Sequence, residues 1–344
     1  MKALVLEKVN QLALKEVAEP MVIGANEVKI KIAAVGICGS DVHYFTHGRI
    51  GDFVVEKPMI LGHEAAGVVT AVGENVQHLK AGDRVCMEPG IPQPQSRETM
   101  GGFYNLDPDV KFWATPPYDG CCSDYVVHPA AFTFKIPDHM SFAEGAMVEP
   151  LAIGMQAAGK ANIKAGDIGL VFGAGTIGVM CALSALASGC AEVVVVDVVD
   201  KKLATVNAFD GITTVNSLEQ DVTAIINAKT DGRGANVVFE CCGIEPVIAH
   251  ICDYVAPNGV VVLVGMPLAP VKFDVVAAQV KEITFKTIFR YANMYPKTIN
   301  LISSGKINVT SLISKKYKFE DSIAAYARAV EANPGDVKII IEME

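Results

Sequence analysis

Four short stretches carry side chains able to do chemistry. In GICGSDVHYF (36–45), Cys38 sits between two glycines, and in LGHEAAG (61–67), His63 and Glu64 are adjacent. In EGAMVEPLAIG (144–154), Glu149 stands just before Pro150, and in GLVFGAGTIG (169–178), Gly173, Gly175 and Gly178 spell G-x-G-x-x-G. A thiolate, an imidazole and a carboxylate together suit zinc. Three protein donors leave a fourth position open, which describes a catalytic rather than a structural site. Taken singly, Cys38 reads more often as a buried small hydrophobe, and His63 more often as a satisfied surface or core group.

The glycine turn implies a different ligand. Its first glycine permits a tight turn, the second lets a pyrophosphate approach the backbone, and the third allows close helix–strand packing. Asp197, 19 residues past Gly178 at the end of the next apolar run, is placed for an adenosine ribose diol. A 2′-phosphate there would face a carboxylate, and like charges ~4 Å apart at an effective dielectric of ~20 repel by about 4 kcal/mol. That favours NAD over NADP. Lys201 and Lys202 lie close enough to soften the repulsion, and read equally as solvated lysines at a helix start.

These residues need elements to position them. The first ~150 residues are short β-like runs broken by Gly and Pro, such as EVKIKIAAVGI and CSDYVVHP, the texture of an irregular, mostly antiparallel domain. From about Ile168 the pattern changes to buried apolar runs alternating with helical segments: IGLVFG, EVVVVD, a weaker ITTVN, ANVVFEC, GVVVLVG and ITFKTIF. Such alternation predicts an α/β fold with a doubly wound parallel sheet of the Rossmann type. The expected domains are 1–150, 151–288, and a return segment 289–344, ending in VKIIIEM, that rejoins the first.

Composition narrows the class. A chain of 344 residues with 51% hydrophobic content predicts two packed domains. A formal charge of −9 without a basic block argues against nucleic acid. No run approaches the ~18 apolar residues of a membrane span, and the N-terminal MKALVLEKVN alternates like a strand, with no signal-peptide core. Nine cysteines, an odd number with no C-x-x-C, suit reduced thiols in a cytoplasm.

In order and spacing, GICGSDVHYF, KPMILGHEAAGVV, VGENVQHLKAGDRV, EGAMVEPLAIG and VFGAGTIG resemble the zinc-containing medium-chain dehydrogenases over essentially the whole chain. MEPGIPQ, FYNLDPDVKFWATPPYDG and IFRYANMYP are similar to their polyol branch, the sorbitol and xylitol dehydrogenases. The resemblance implies a GroES-like, barrel-like catalytic domain beside the Rossmann domain. It implies zinc on Cys38, His63 and Glu64, with Glu149 reaching the metal directly or through water. Ser40 and Glu149 become catalytic candidates, and Tyr44, Phe112, Glu149, Arg290 and Tyr291 substrate contacts. Phe112 and Trp113 would be apolar walls, with core packing an equal alternative. Beyond the glycines and Asp197, the expected cofactor contacts are Ile177, Lys202, Val264, Gly265, Met266, Ile288, Phe289 and Arg290.

Many members of that family hold a structural zinc on four close cysteines. The corresponding stretch here has only Cys86, so one catalytic zinc per chain and no structural zinc is expected. The implied reaction passes hydride between NAD and a small polyol/ketose pair, xylitol and D-xylulose first. Sorbitol (L-iditol) and other secondary-alcohol or threonine dehydrogenases are the rivals, and a non-catalytic nucleotide-binding protein is the rival from another class. A homodimer or homotetramer is implied.

Overall fold

The computed structural model describes residues 1–21 and 23–343. The chain forms two compact units, one of Met1–Glu149 with the segment from Tyr295 onward, the other of Pro150–Met294. The segment Phe289–Met294, expected with the return segment, therefore falls in the second unit. Ile288 ties it there, its N–H donating to Leu263 O (3.3 Å).

The apolar runs of the second unit become strands Ile168–Phe172, Glu192–Asp197, Ile212–Asn216, Ala235–Glu240, Val255–Leu263 and Thr284–Thr287. All pair in parallel. Leu170, Val194, Val196, Val238 and Val261 pack with Val222, Ile226 and Ile251 in one core. Strands covered on both faces need apolar side chains at successive positions, which is why they were visible as continuous runs. The sheet grows outward in both directions from Ile168–Phe172, so the strand order reverses between that strand and Ala235–Glu240. In such sheets the ligand crevice lies past the carboxyl ends of the strands at this switch point.

The first unit is organised by the strand Glu27–Gly36, where Val28, Ile30, Ile32 and Ala34 alternate inward. Along one edge it pairs antiparallel with Glu64–Val72. Tyr125–Pro129 pairs with its first half, and Lys338–Glu342 pairs with Ala34, Val35 and Gly36. The sheet is antiparallel except for the pair Ile313–Lys318 and Lys338–Glu342. Register shifts interrupt the central pair twice, which bends the sheet. All nine cysteines carry free thiols. Among the described residues, no helix is long and apolar enough to cross a membrane.

Candidate functional site

Strand register assembles the first cluster. Gly36 is the register partner of Glu64, so Cys38, just past the end of one strand, meets His63 and Glu64 at the start of the other. One donor atom from each of the three lies within 4.8 Å of the others. Gly36 makes this approach possible: a Cβ there would overlap the Glu64 carboxylate. Among the described residues this is the one group of three or more such donors.

Cys38 caps the helix Gly39–His47, and Asp41 in its first turn holds the arrangement together. The fully buried Asp41 carboxylate accepts from Cys38 N (3.0 Å) and Gly62 N (3.1 Å). Its Oδ1 also faces His63 Nδ1 at 3.6 Å, longer than a hydrogen bond, and Nδ1 is buried without a hydrogen-bond partner. A carboxylate facing one ring nitrogen orients an imidazole so that the other can bind a metal. Burial, the largest influence, pushes the His63 pKa down, but Asp41 and Cys38 outweigh it and leave it well above the ordinary value. The pocket thus favours positive charge, and a thiol, an imidazole and a carboxylate are the donors that zinc takes. The residues fit the metal.

Glu64 has a second partner from far along the chain. Lys338 Nζ donates to its Oε2 (2.6 Å) and Oε1 (2.7 Å), and to Ile37 O (3.1 Å). Glu149, in the first turn of the helix Val148–Ala161, is buried but lies outside the donor cluster. Its charge acts on Lys338 and on Glu88. Burial first, then Glu149, raises Glu88 to about 7, against the hydrogen bond that Tyr104 Oη–H donates to it (2.7 Å).

Ser40 and Tyr44, four apart on the helix after Cys38, share one helix face. The Phe112 ring lies 5.6 Å from that of His63, which brings this wall candidate to the metal donors. Trp113 packs against His128 instead, with ring centroids 4.4 Å apart and planes tilted by 56°, in the core. Asp41, Lys338 and Glu88 were missed in the sequence. Lys338 had a signal, one cation inside the apolar run VKIIIEM, since a buried charge demands a partner.

The second unit builds the glycine turn. The helix Thr176–Ser188 starts at Gly175, and a Cβ on Gly178 would overlap Gly173 O. Asp197 closes the turn: Oδ2 accepts from Ala174 N (2.7 Å), and Oδ1 from Val198 N (2.8 Å) and Val199 N (3.0 Å). The other expected cofactor residues of this unit also follow strand ends. Val264, Gly265 and Met266 come after Val255–Leu263, and Ile288, Phe289 and Arg290 after Thr284–Thr287. Ile177 is in the first turn of the helix after the glycines, and Lys202 is half-buried in Asp200–Val206. Arg290 lies over the Phe289 ring (4.7 Å), while Tyr291 is buried.

Residues 24–138 match the family described as the alcohol dehydrogenase GroES-like domain, and residues 176–304 that described as zinc-binding dehydrogenase. The D-xylulose reductase of Morganella morganii is 62% identical, with 96% of this chain and 98% of that protein covered. The sorbitol dehydrogenase of Mus musculus is 40% identical, with 89% and 87% covered. Among solved structures, an oxidoreductase/dehydrogenase of unknown specificity from Escherichia coli superposes with a TM-score of 0.95. It is 37% identical, with 100% of this chain and 99% of that one covered.

Proposed function

We infer the function from family and site together: the chain belongs to the zinc-containing medium-chain dehydrogenases, in their polyol branch. It is an NAD-dependent oxidoreductase that converts xylitol to D-xylulose and back. The observation that carries the chemistry is the Cys38–His63–Glu64 cluster, with His63 and Glu64 buried, Cys38 half-buried and three donors within 4.8 Å of one another. The likeness to D-xylulose reductase supports the pentitol over the hexitol.

Zinc held by Cys38, His63 and Glu64 supplies Lewis acidity, which acidifies a hydroxyl and polarises a carbonyl. NAD, when bound, would supply the hydride acceptor for C2 of the polyol, so that xylitol and NAD would give D-xylulose, NADH and a separately released hydroxyl proton. The proton leaves either through Ser40, whose hydroxyl passes its own proton on to solvent as it accepts this one, or through a water held by Glu149. Tyr44 and Phe112 shape the pocket around the reacting carbon. Arg290 and Tyr291 offer a guanidinium fork and a phenol to the neighbouring hydroxyls. In the second unit, the Gly173–Gly178 turn takes the pyrophosphate and Asp197 the ribose diol. On this reading the first unit is the catalytic domain and the second the NAD-binding domain. The enzyme is a cytoplasmic homodimer or homotetramer acting on small molecules.

NAD reduction across xylitol, sorbitol, L-threonine and ethanol tests this. Xylitol gives the highest kcat/KM, sorbitol follows, and ethanol is poor because buried donors built for hydroxyls would go unpaired. Comparable efficiency on ethanol and xylitol would refute the polyol reading, while sorbitol ahead of xylitol would reverse their order.

A further inference from the structure

Lys338 opens the strand Lys338–Glu342 and lies 274 positions from Glu64. Its side chain is 2% exposed and that of Glu64 1%. Three hydrogen bonds use the three donors of the ammonium, two on the Glu64 carboxylate and one on Ile37 O. Each carboxylate oxygen keeps a second lone pair, so Glu64 still serves as a donor beside Cys38 and His63. One negative charge is therefore shared between a fixed ammonium and the metal position.

We propose that Lys338 is a positioning residue of the metal centre, the resident counter-cation of Glu64, which holds the carboxylate in the metal-free protein and weakens its grip on zinc. The proposal rests on the zinc reading of this site. Two effects follow from removing the ammonium. The full carboxylate charge then goes to the metal and a nearby cation no longer repels it, so zinc binds more tightly. Without metal, Glu64 is left as an unpaired buried carboxylate, and the stripped protein loses stability that the loaded protein keeps. A Lys338 that only tied the last strand to the sheet would lower stability equally in both states and leave zinc affinity unchanged.

The test strips purified holoenzyme with a chelator. It then measures zinc affinity by competition with a chromophoric chelator, and melting temperature with and without zinc. Lys338→Met is expected to bind zinc about tenfold more tightly or more, a change of about 1.4 kcal/mol, and to widen the melting gap between loaded and stripped protein. Lys338→Arg keeps the charge and the wild-type affinity. Should Lys338→Met fail to accumulate, Lys338→Gln, neutral but still a donor, carries the same measurement. Zinc affinity equal to or weaker than wild type in the neutral variant overturns the proposal and leaves the zinc reading intact. A wild type that takes up no zinc overturns both.

Discussion

Glu149 is buried, and its charge reaches both Glu88 and Lys338, the lysine that bonds Glu64. An acid so placed can act on a water or a substrate hydroxyl. Glu149→Gln keeps the size and removes the charge. Turnover with xylitol is expected to fall by about 10–100-fold, the scale of losing a group that supports a metal site, with zinc content unchanged. Turnover equal to wild type would make the acid a bystander. Asp197 makes a comparable argument in the second unit, where three backbone N–H groups fix its carboxylate at the end of a strand. Its repulsion of a 2′-phosphate, discounted by half for solvent screening, is about 2 kcal/mol. Asp197→Ser should thus shift the ratio of kcat/KM for NADP over NAD upward by roughly 30-fold. A wild type that already prefers NADP would defeat the electrostatic argument.

At the scale of elements, two buried groups with opposed pH responses meet, Glu88 from the turn after the strand Arg84–Met87 and His128 from the strand Tyr125–Pro129. His128 donates Nε2–H to Glu88 O (2.8 Å), and burial, against that bond, pushes its pKa from 6.5 down to about 4. Between these values the unfolded chain holds a proton that the native imidazole refuses, so His128 costs stability as pH falls from 6.5 to 4. Glu88 does the reverse, because its native pKa of about 7 exceeds its ordinary 4.5. Over pH 4.5–6.5 it binds a proton in the folded state only, and so adds stability as pH falls. The two offset one another in the wild type. Glu88→Gln keeps an acceptor for Tyr104 and exposes the His128 response. Relative to wild type, the variant should lose about 3 kcal/mol between pH 6.5 and 4.5, at 1.36 kcal/mol per pH unit. Parallel denaturation curves for the two proteins at both pH values would contradict this.

Some of these elements were legible in the sequence and others were not. The six parallel strands were visible because strands buried on both faces need unbroken apolar runs, and ITTVN, weak as a run, still forms Ile212–Asn216. In the first unit MKALVLEKVN, CSDYVVHP and EVKIKIAAVG were legible as β-like runs, and each contains a strand, the last of them Glu27–Gly36. Its partners depend on register shifts and on a strand from the chain's far end, which no local pattern encodes. Cys38, His63 and Glu64 were legible as chemistry, but their meeting depends on Gly36 pairing with Glu64. The Lys338–Glu64 bond spans 274 positions, and Asp41 accepts from Gly62 across 21. Partners of that kind are set by tertiary packing.

For the whole molecule, the chain divides its work between two compact units: a metal-donor cluster in Met1–Glu149 and a glycine turn in Pro150–Met294. Neither alone accounts for hydride transfer from a polyol, because the metal-donor cluster has no nucleotide turn and the turn has no metal donors. One zinc on Cys38, His63 and Glu64 is expected to enable xylitol oxidation by NAD. The most direct measurement strips the purified enzyme of metal and follows xylitol-dependent NADH formation as zinc is returned in known amounts. Activity should rise in proportion to bound zinc and level off at about one zinc per chain. Full activity in the stripped enzyme, or a plateau reached only at two tightly held zincs per chain, would contradict the account.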